Sequence, residues 1–179
     1  MESTIKVKDK EFEVFIPYEK IDAAISVVAE NINKDLNGKD PLFLIILNGA
    51  FMFAADLLKK VKIECSLSFV KLASYEGTKS SNVVRELIGL NEKIEGRNVI
   101  VIEDIIDTGK TLEVLLEMLQ KYNAASVQIA TLLFKPDAFK GNYGIDYIGM
   151  EIPNDFIIGY GLDYDGYARN LPDIYKIVE

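Results

Sequence analysis

The sequence predicts an α/β domain: a mostly parallel central sheet flanked by helices, with a small irregular C-terminal lobe or hood. Three observations carry this. Short, continuously apolar runs such as 42–47 (LFLIIL) and 99–102 (VIVI) recur, and a strand apolar on both sides is one covered on both faces. Between them lie stretches whose apolar residues return every three or four positions, the helical period. Strand and helix alternate, a rhythm that parallel strands joined by crossover helices produce. A chain of 179 residues suits one domain, here 1–179.

Residues 5–16 read as one or two short strands around Asp9 and Lys10. Pro17 opens a helix, because proline's missing N–H costs nothing in a first turn. Its apolar face is Ile21, Ala24, Ile25, Val28, Ile32 and Leu36, and NGKD at 37–40 stops it. The strand 42–47 follows, then a second helix over 51–60. Residues 61–72 predict another strand, in which Cys65 shares a face with Ile63, Leu67 and Phe69 and belongs to the core. The polar run 73–82 is a loop, and VVRELIG after it is the second arm of a hairpin. An apolar strand begins at Asn98. The segment 107–122 is a helix with Leu112, Leu115, Leu116 and Leu119 on one face. Residues 126–135 return to strand. After Pro136 short apolar pieces are broken by Gly, Pro and Asp, and this third reads as the lobe.

Composition removes several kinds of chemistry. The chain contains no histidine, so Ser-His and Cys-His pairs, histidine-bound zinc and the usual neutral-pH base are excluded. Proton transfer falls to a carboxylate, lysine, tyrosine or the substrate. One cysteine forms no intrachain disulfide and no cysteine zinc finger. A net charge of −8 without a basic block argues against nucleic-acid binding, and Lys59, Lys60 and Lys62 read as a solvated helix end. No uncharged apolar run reaches about 18 residues, so no membrane span is expected. The first residues lack the apolar core of a signal peptide, which points to the cytoplasm.

The chemistry concentrates in 98–111, NVIVIEDIIDTGKT. A buried strand empties into Glu103 and Asp104, Asp107 follows, and Thr108, Gly109, Lys110 and Thr111 lead into a helix. Amide N–H groups at a helix start are unpaired and attract an anion. Gly109 permits a tight turn, and the threonines add hydroxyl donors. The set suits one phosphate monoester. A P-loop needs glycine five positions before Gly109, where Asp104 stands, and three carboxylates would repel a triphosphate. Helix capping by Asp107 or Thr108 explains one of these residues but not the succession. Strand-end carboxylates of an open sheet sit where ligands bind.

Asn48 and Gly49, between strand and helix, read either as a ligand-facing loop or as a simple tight turn. In Asp163-Tyr164-Asp165-Gly166 the glycine comes too soon for an EF-hand. Gly159-Tyr160-Gly161 is no dinucleotide fingerprint, since Tyr164 stands where the third glycine belongs.

VIVIEDIIDTGKTL resembles the phosphoribosyl-pyrophosphate motif of the type I phosphoribosyltransferases, most of all their hypoxanthine-guanine branch, and the similarity runs from about Pro41 to Leu171. The resemblance implies transfer of a phosphoribosyl group from phosphoribosyl pyrophosphate to N9 of hypoxanthine or guanine, giving IMP or GMP and pyrophosphate. It assigns Asp107 to Thr111 to the 5'-phosphate, with Asp107 also near purine N7 as the catalytic group. Glu103 and Asp104 would face the ribose hydroxyls. Asn48 and Gly49 would contact the diphosphate through their backbone, with a cis Leu47–Asn48 peptide, although many members carry lysine at Asn48. Ser74 and Tyr75 would belong to a flap closing on the pyrophosphate. Lys135 would donate to purine O6, Phe156 would stack on the base, and Ile157 would offer backbone groups to its edge. Arg169 would contact pyrophosphate. Magnesium would be held by Asp163, with Glu103 and Asp104 as further oxygen ligands. The resemblance also implies a homodimer or homotetramer. Xanthine as the base remains open. A non-catalytic purine-responsive regulator would need a DNA-binding segment, which the sequence lacks.

Overall fold

The structure, a computed structural model, describes residues 4–74, 84–88 and 92–178, with side chains described outside 72–91. Its central sheet contains β3 (Leu42–Leu47), β4 (Ser66–Ser74), β5 (Val84–Ile88), β6 (Asn98–Ile106), β7 (Ser126–Phe134) and β8 (Tyr147–Glu151). The order is β5-β4-β3-β6-β7-β8, parallel throughout except for β5, which pairs antiparallel with β4. Helices α1 (Tyr18–Asp35) and α2 (Phe51–Lys60) cover one face, and α3 (Lys110–Gln120) covers the other. The predicted fold class is therefore the observed one.

The continuous apolar runs have a direct cause. Along β3, Phe43 and Ile45 pack with α1 and α2, while Leu42, Leu44 and Ile46 pack with α3. In β6, Ile100 and Ile102 face the first layer, and Val99 and Val101 the second. A strand sandwiched this way tolerates no polar alternation. Winding reverses between β3 and β6: from β3 the chain crosses to β4 on one side, and from β6 to β7 on the other. Such a switch point opens a crevice beyond the C-terminal strand ends. The loops 47–50 and 107–109 leave β3 and β6 there.

Two expectations are corrected. Cys65 is exposed and lies ahead of β4, and Leu67 and Phe69 are 47% and 42% exposed. Ser68 and Val70 are the buried pair instead. Leu67 and Phe69 are in register with Phe43 and Ile45, but α2 packs over β3 and β6 and leaves that face of β4 open. The alternation was there; which phase met a helix was decided by the helix. The second correction concerns the lobe, a four-stranded antiparallel sheet built from both chain ends. Its order is β1 (Thr4–Val7), β2 (Lys10–Ile16), β10 (Ile174–Ile177), β9 (Ile157–Ile158). Phe12, Ile158 and Tyr175 form its core. The pairing of β2 with β10, so distant in sequence, leaves no local signal. The lobe also satisfies α1, whose first N–H, from Tyr18, donates to Asp173 Oδ1 at 2.8 Å.

Candidate active site at the switch point

The loop after β6 carries the densest functional chemistry. Gly109 stands at the N-cap of α3 with φ 83°, a left-handed conformation that favours glycine. A Cβ there would lie 2.6 Å from the Tyr143 hydroxyl and 2.7 Å from the Phe139 ring. The N-cap itself is Gly109, with no side-chain cap, so among the described residues neither Asp107 nor Thr108 is the capping residue of α3. Thr108, Lys110 and Thr111 are exposed and Asp107 is half-buried. With Ile46, the run from Glu103 to Leu112 lines a cleft of about 260 Å³.

Glu103 and Asp104 form the buried floor of that cleft. Burial, reinforced by the neighbouring Asp104 charge, holds Glu103 well above the usual carboxylate range. Burial also raises Asp104, although hydrogen bonds from Glu103 and the Ile105 amide and the nearby Arg169 charge work against it. The two carboxyls are adjacent and buried, so the charged form of Glu103 is the more strongly disfavoured of the two. The Ile105 amide donates to Asp104 Oδ1 at 2.8 Å, which fixes the orientation of that group.

The β3–α2 loop packs directly on this floor. A Cβ on Gly49 would stand 1.7 Å from Asp104 Oδ2, so any larger residue would have to displace the Asp104 carboxylate. The Leu47–Asn48 peptide is cis, as the resemblance implied, and Asn48 is exposed. Gly161, at φ 99°, approaches the same loop so closely that a Cβ would lie 2.1 Å from the Gly49 carbonyl oxygen. Arg169 completes this side. Its Nη2 pairs with Asp163 Oδ1 at 2.6 Å, and its Nη1 donates to the Gly161 carbonyl at 2.6 Å. The Gly166 amide donates to Asp163 Oδ2 at 2.6 Å.

On the other side, Lys135 is 6% exposed at the end of β7. Its Nζ donates to Asp107 Oδ2 at 3.1 Å and to the Asp155 carbonyl at 2.9 Å. An ammonium has three donors, so one remains for a ligand. Phe156 leaves 46% of its surface exposed while its ring packs edge-on against Tyr164, centroids 5.9 Å apart. Ile157 is buried in β9, paired with Lys176.

Predicted residues 103, 104 and 107–111 thus meet in one cleft, with Lys135 joined to Asp107, Gly49 to Asp104, and Arg169 to Asp163. Ser74 ends β4, and its side chain, like the whole of Tyr75, lies outside the described residues. Among the described residues no group of three acidic side chains converges as a ready cation cage. Hard carboxylate oxygens, some buried and some at the rim, nonetheless fit a cation such as magnesium. That ion binds through one or two carboxylates plus substrate oxygens and water. Sequence reasoning missed the Asp155 carbonyl, the close approach of Gly161, and the Phe139–Tyr143 pair. Gly161 alone carried a local hint, as a glycine beside the aspartate motif.

Comparison with known proteins agrees with this geometry. The phosphoribosyl transferase domain family matches residues 17–165. A hypoxanthine-guanine phosphoribosyltransferase of Mycobacterium bovis is 41% identical over 165 residues, 88% of this chain and 82% of that protein. One from Streptococcus thermophilus is 43% identical over 153 residues, 85% of each. The crystal structure of a hypoxanthine phosphoribosyltransferase from Staphylococcus aureus superposes with a TM-score of 0.88 at 38% identity, covering 93% of this chain and 91% of that one.

Proposed function

The chain belongs to the phosphoribosyl transferase domain family, and from that premise we propose that it transfers the 5-phosphoribosyl group of phosphoribosyl pyrophosphate to N9 of hypoxanthine or guanine. The products are IMP or GMP and pyrophosphate, a purine-salvage reaction in the cytoplasm. One observation carries the choice of base: a buried lysine, Lys135, held by Asp107 and the Asp155 carbonyl with a donor to spare. An ammonium donates and never accepts, so it suits a 6-oxo group and leaves a 6-amino group unsatisfied. The named relatives point the same way.

The reaction is displacement at ribose C1, with N9 attacking as pyrophosphate departs. No covalent intermediate on the protein is required. Amides and hydroxyls of the 107–111 loop hold the 5'-phosphate. The ribose hydroxyls donate to Glu103 and Asp104, and the negative charge the pair carries also favours the cation-like sugar. Asp107 takes up the proton at N7, Phe156 stacks on the base, and Ile157 offers backbone groups to its edge. Asn48 and Gly49 contact the diphosphate through their backbone, Arg169 contacts pyrophosphate, and Ser74 and Tyr75 belong to the closing flap. Asp163, with Glu103 and Asp104 as further oxygen donors, would hold magnesium, which would supply neutralising charge to the leaving group. We also assign a homodimer or homotetramer, for which the open β4 face at Leu67 and Phe69 is available apolar surface. No helix among the described residues is long and apolar enough to cross a membrane.

The test is nucleotide formation from phosphoribosyl pyrophosphate and magnesium with hypoxanthine, guanine, xanthine and adenine in turn. Hypoxanthine and guanine turn over and adenine does not. Adenine turning over as fast as hypoxanthine would overturn the role of Lys135, and xanthine as the best substrate would change the base.

A further inference from the structure

Residues 139–143 have no role in the proposed reaction, yet they grip the back of the phosphate loop. The Lys140 amide donates to the Thr108 carbonyl at 3.2 Å, and the Tyr143 hydroxyl donates to the Gly109 carbonyl at 2.7 Å. In a trans peptide the N–H points opposite to the C=O. The Thr108 carbonyl shares its peptide with the Gly109 N–H, and the Gly109 carbonyl with the Lys110 N–H. Tying both carbonyls to 139–143 therefore turns both N–H groups the other way, toward the cleft that Gly109 and Lys110 line. No backbone acceptor among the described residues takes either N–H, as expected for the orphan donors of a helix start.

Around these bonds the packing is aromatic. Phe139 meets Phe134 and Tyr143 edge-on, each at 5.3 Å between centroids, and joins the core beneath α3. The Gly109 carbonyl also accepts the Glu113 amide at 3.0 Å, so Tyr143 occupies its second lone pair. Burial, with the Glu113 and Glu103 charges, pushes the Tyr143 phenol up to about 12. It stays a donor across the physiological range.

We infer that Tyr143 is a positioning residue for the 5'-phosphate: it sets the plane of the Gly109–Lys110 peptide so that the N–H faces the phosphate, without itself touching substrate. This rests on the phosphate-loop reading within the proposed function, and the test separates the two. Tyr143→Phe keeps the ring and deletes the donor. Calorimetric titration with ribose 5-phosphate reads the loop without turnover, and initial rates give KM for each substrate. The ribose 5-phosphate Kd and the KM for phosphoribosyl pyrophosphate rise roughly three- to tenfold, the scale of one hydrogen bond. The KM for the base holds, and kcat falls by less than Kd rises. Phe139→Leu, which thins the packing and leaves the hydroxyl bond, weakens ribose 5-phosphate less than Tyr143→Phe does. An unchanged Kd in Tyr143→Phe overturns the inference. So does an equal rise in KM for both substrates, or a Phe139→Leu loss as large, because either reports general loosening. Wild-type protein that binds ribose 5-phosphate but converts no base overturns the proposed function and leaves this inference standing. Wild-type protein that does not bind it overturns both.

Discussion

Replacing Asp107 with asparagine keeps the size of the side chain and removes its charge and its basic oxygen. In the structure that carboxylate does not cap α3; its described partner is Lys135 Nζ at 3.1 Å. The substitution therefore has two consequences of different size. Lys135 loses a half-exposed ion-pair partner but keeps the Asp155 carbonyl at 2.9 Å, so it stays in place. A pair screened by solvent on the Asp107 side is worth about 1 kcal/mol, or roughly a fivefold rise in the KM for the base. Loss of the proposed proton acceptor at N7 is the larger effect. General acid–base groups contribute ~10²–10⁴-fold, and the nitrogen's own acidity puts the expected fall in kcat near the lower end, ~10²-fold. In the proposed function the amides of the following residues hold the 5'-phosphate, so Kd for phosphoribosyl pyrophosphate changes by less than about threefold, as for an interaction made only in the transition state. The assay is kcat with each KM across several pH values, plus a directly measured Kd, for both proteins. Turnover at the wild-type rate across the range would refute the catalytic assignment. A loss appearing wholly in phosphoribosyl pyrophosphate binding would make Asp107 a scaffold of the phosphate loop.

Three further outcomes are expected. Glu103→Gln raises Tm at neutral pH. Burial lifts the folded-state pKa of Glu103 above its ordinary value of 4.5, so wild-type stability is full below that value and is lost as pH rises through the folded-state value. Melting curves from pH 4 to 8 show the gap between variant and wild type widening upward, and a constant gap contradicts the buried-acid account. Gly161→Ala sets a Cβ 2.1 Å from the Gly49 carbonyl at φ 99°. Strain of this kind costs about 2–3 kcal/mol, a Tm loss of roughly 4–12 °C at this size, and an unshifted melting curve would mean that the two loops do not bear on each other. Excess chelator abolishes turnover and added magnesium restores it, whereas full activity in chelator would remove the metal from the mechanism.

The alternation of apolar runs with helical periods determined the α/β class, because burial on both faces demands those patterns wherever the elements end up. The run from Glu103 to Thr111 was legible for the same local reason: strand end, carboxylates, turn and helix start lie in one stretch of chain. For Lys135, Phe156, Asp163 and Arg169, composition and spacing carried little, and their roles came from the family resemblance. Tertiary structure decided what depends on partners distant in sequence. It put Cys65 in solvent by seating α2 over β3 rather than β4. It made the lobe from the two chain ends. It brought Lys135 to Asp107 across 28 residues and Tyr143 to Gly109 across 34. Local sequence records which face of a segment avoids water, a free-energy preference summed over neighbouring residues. It does not record which other segment supplies that face or a given hydrogen-bond acceptor, since such contacts exist only after the sheet has set the register of its strands.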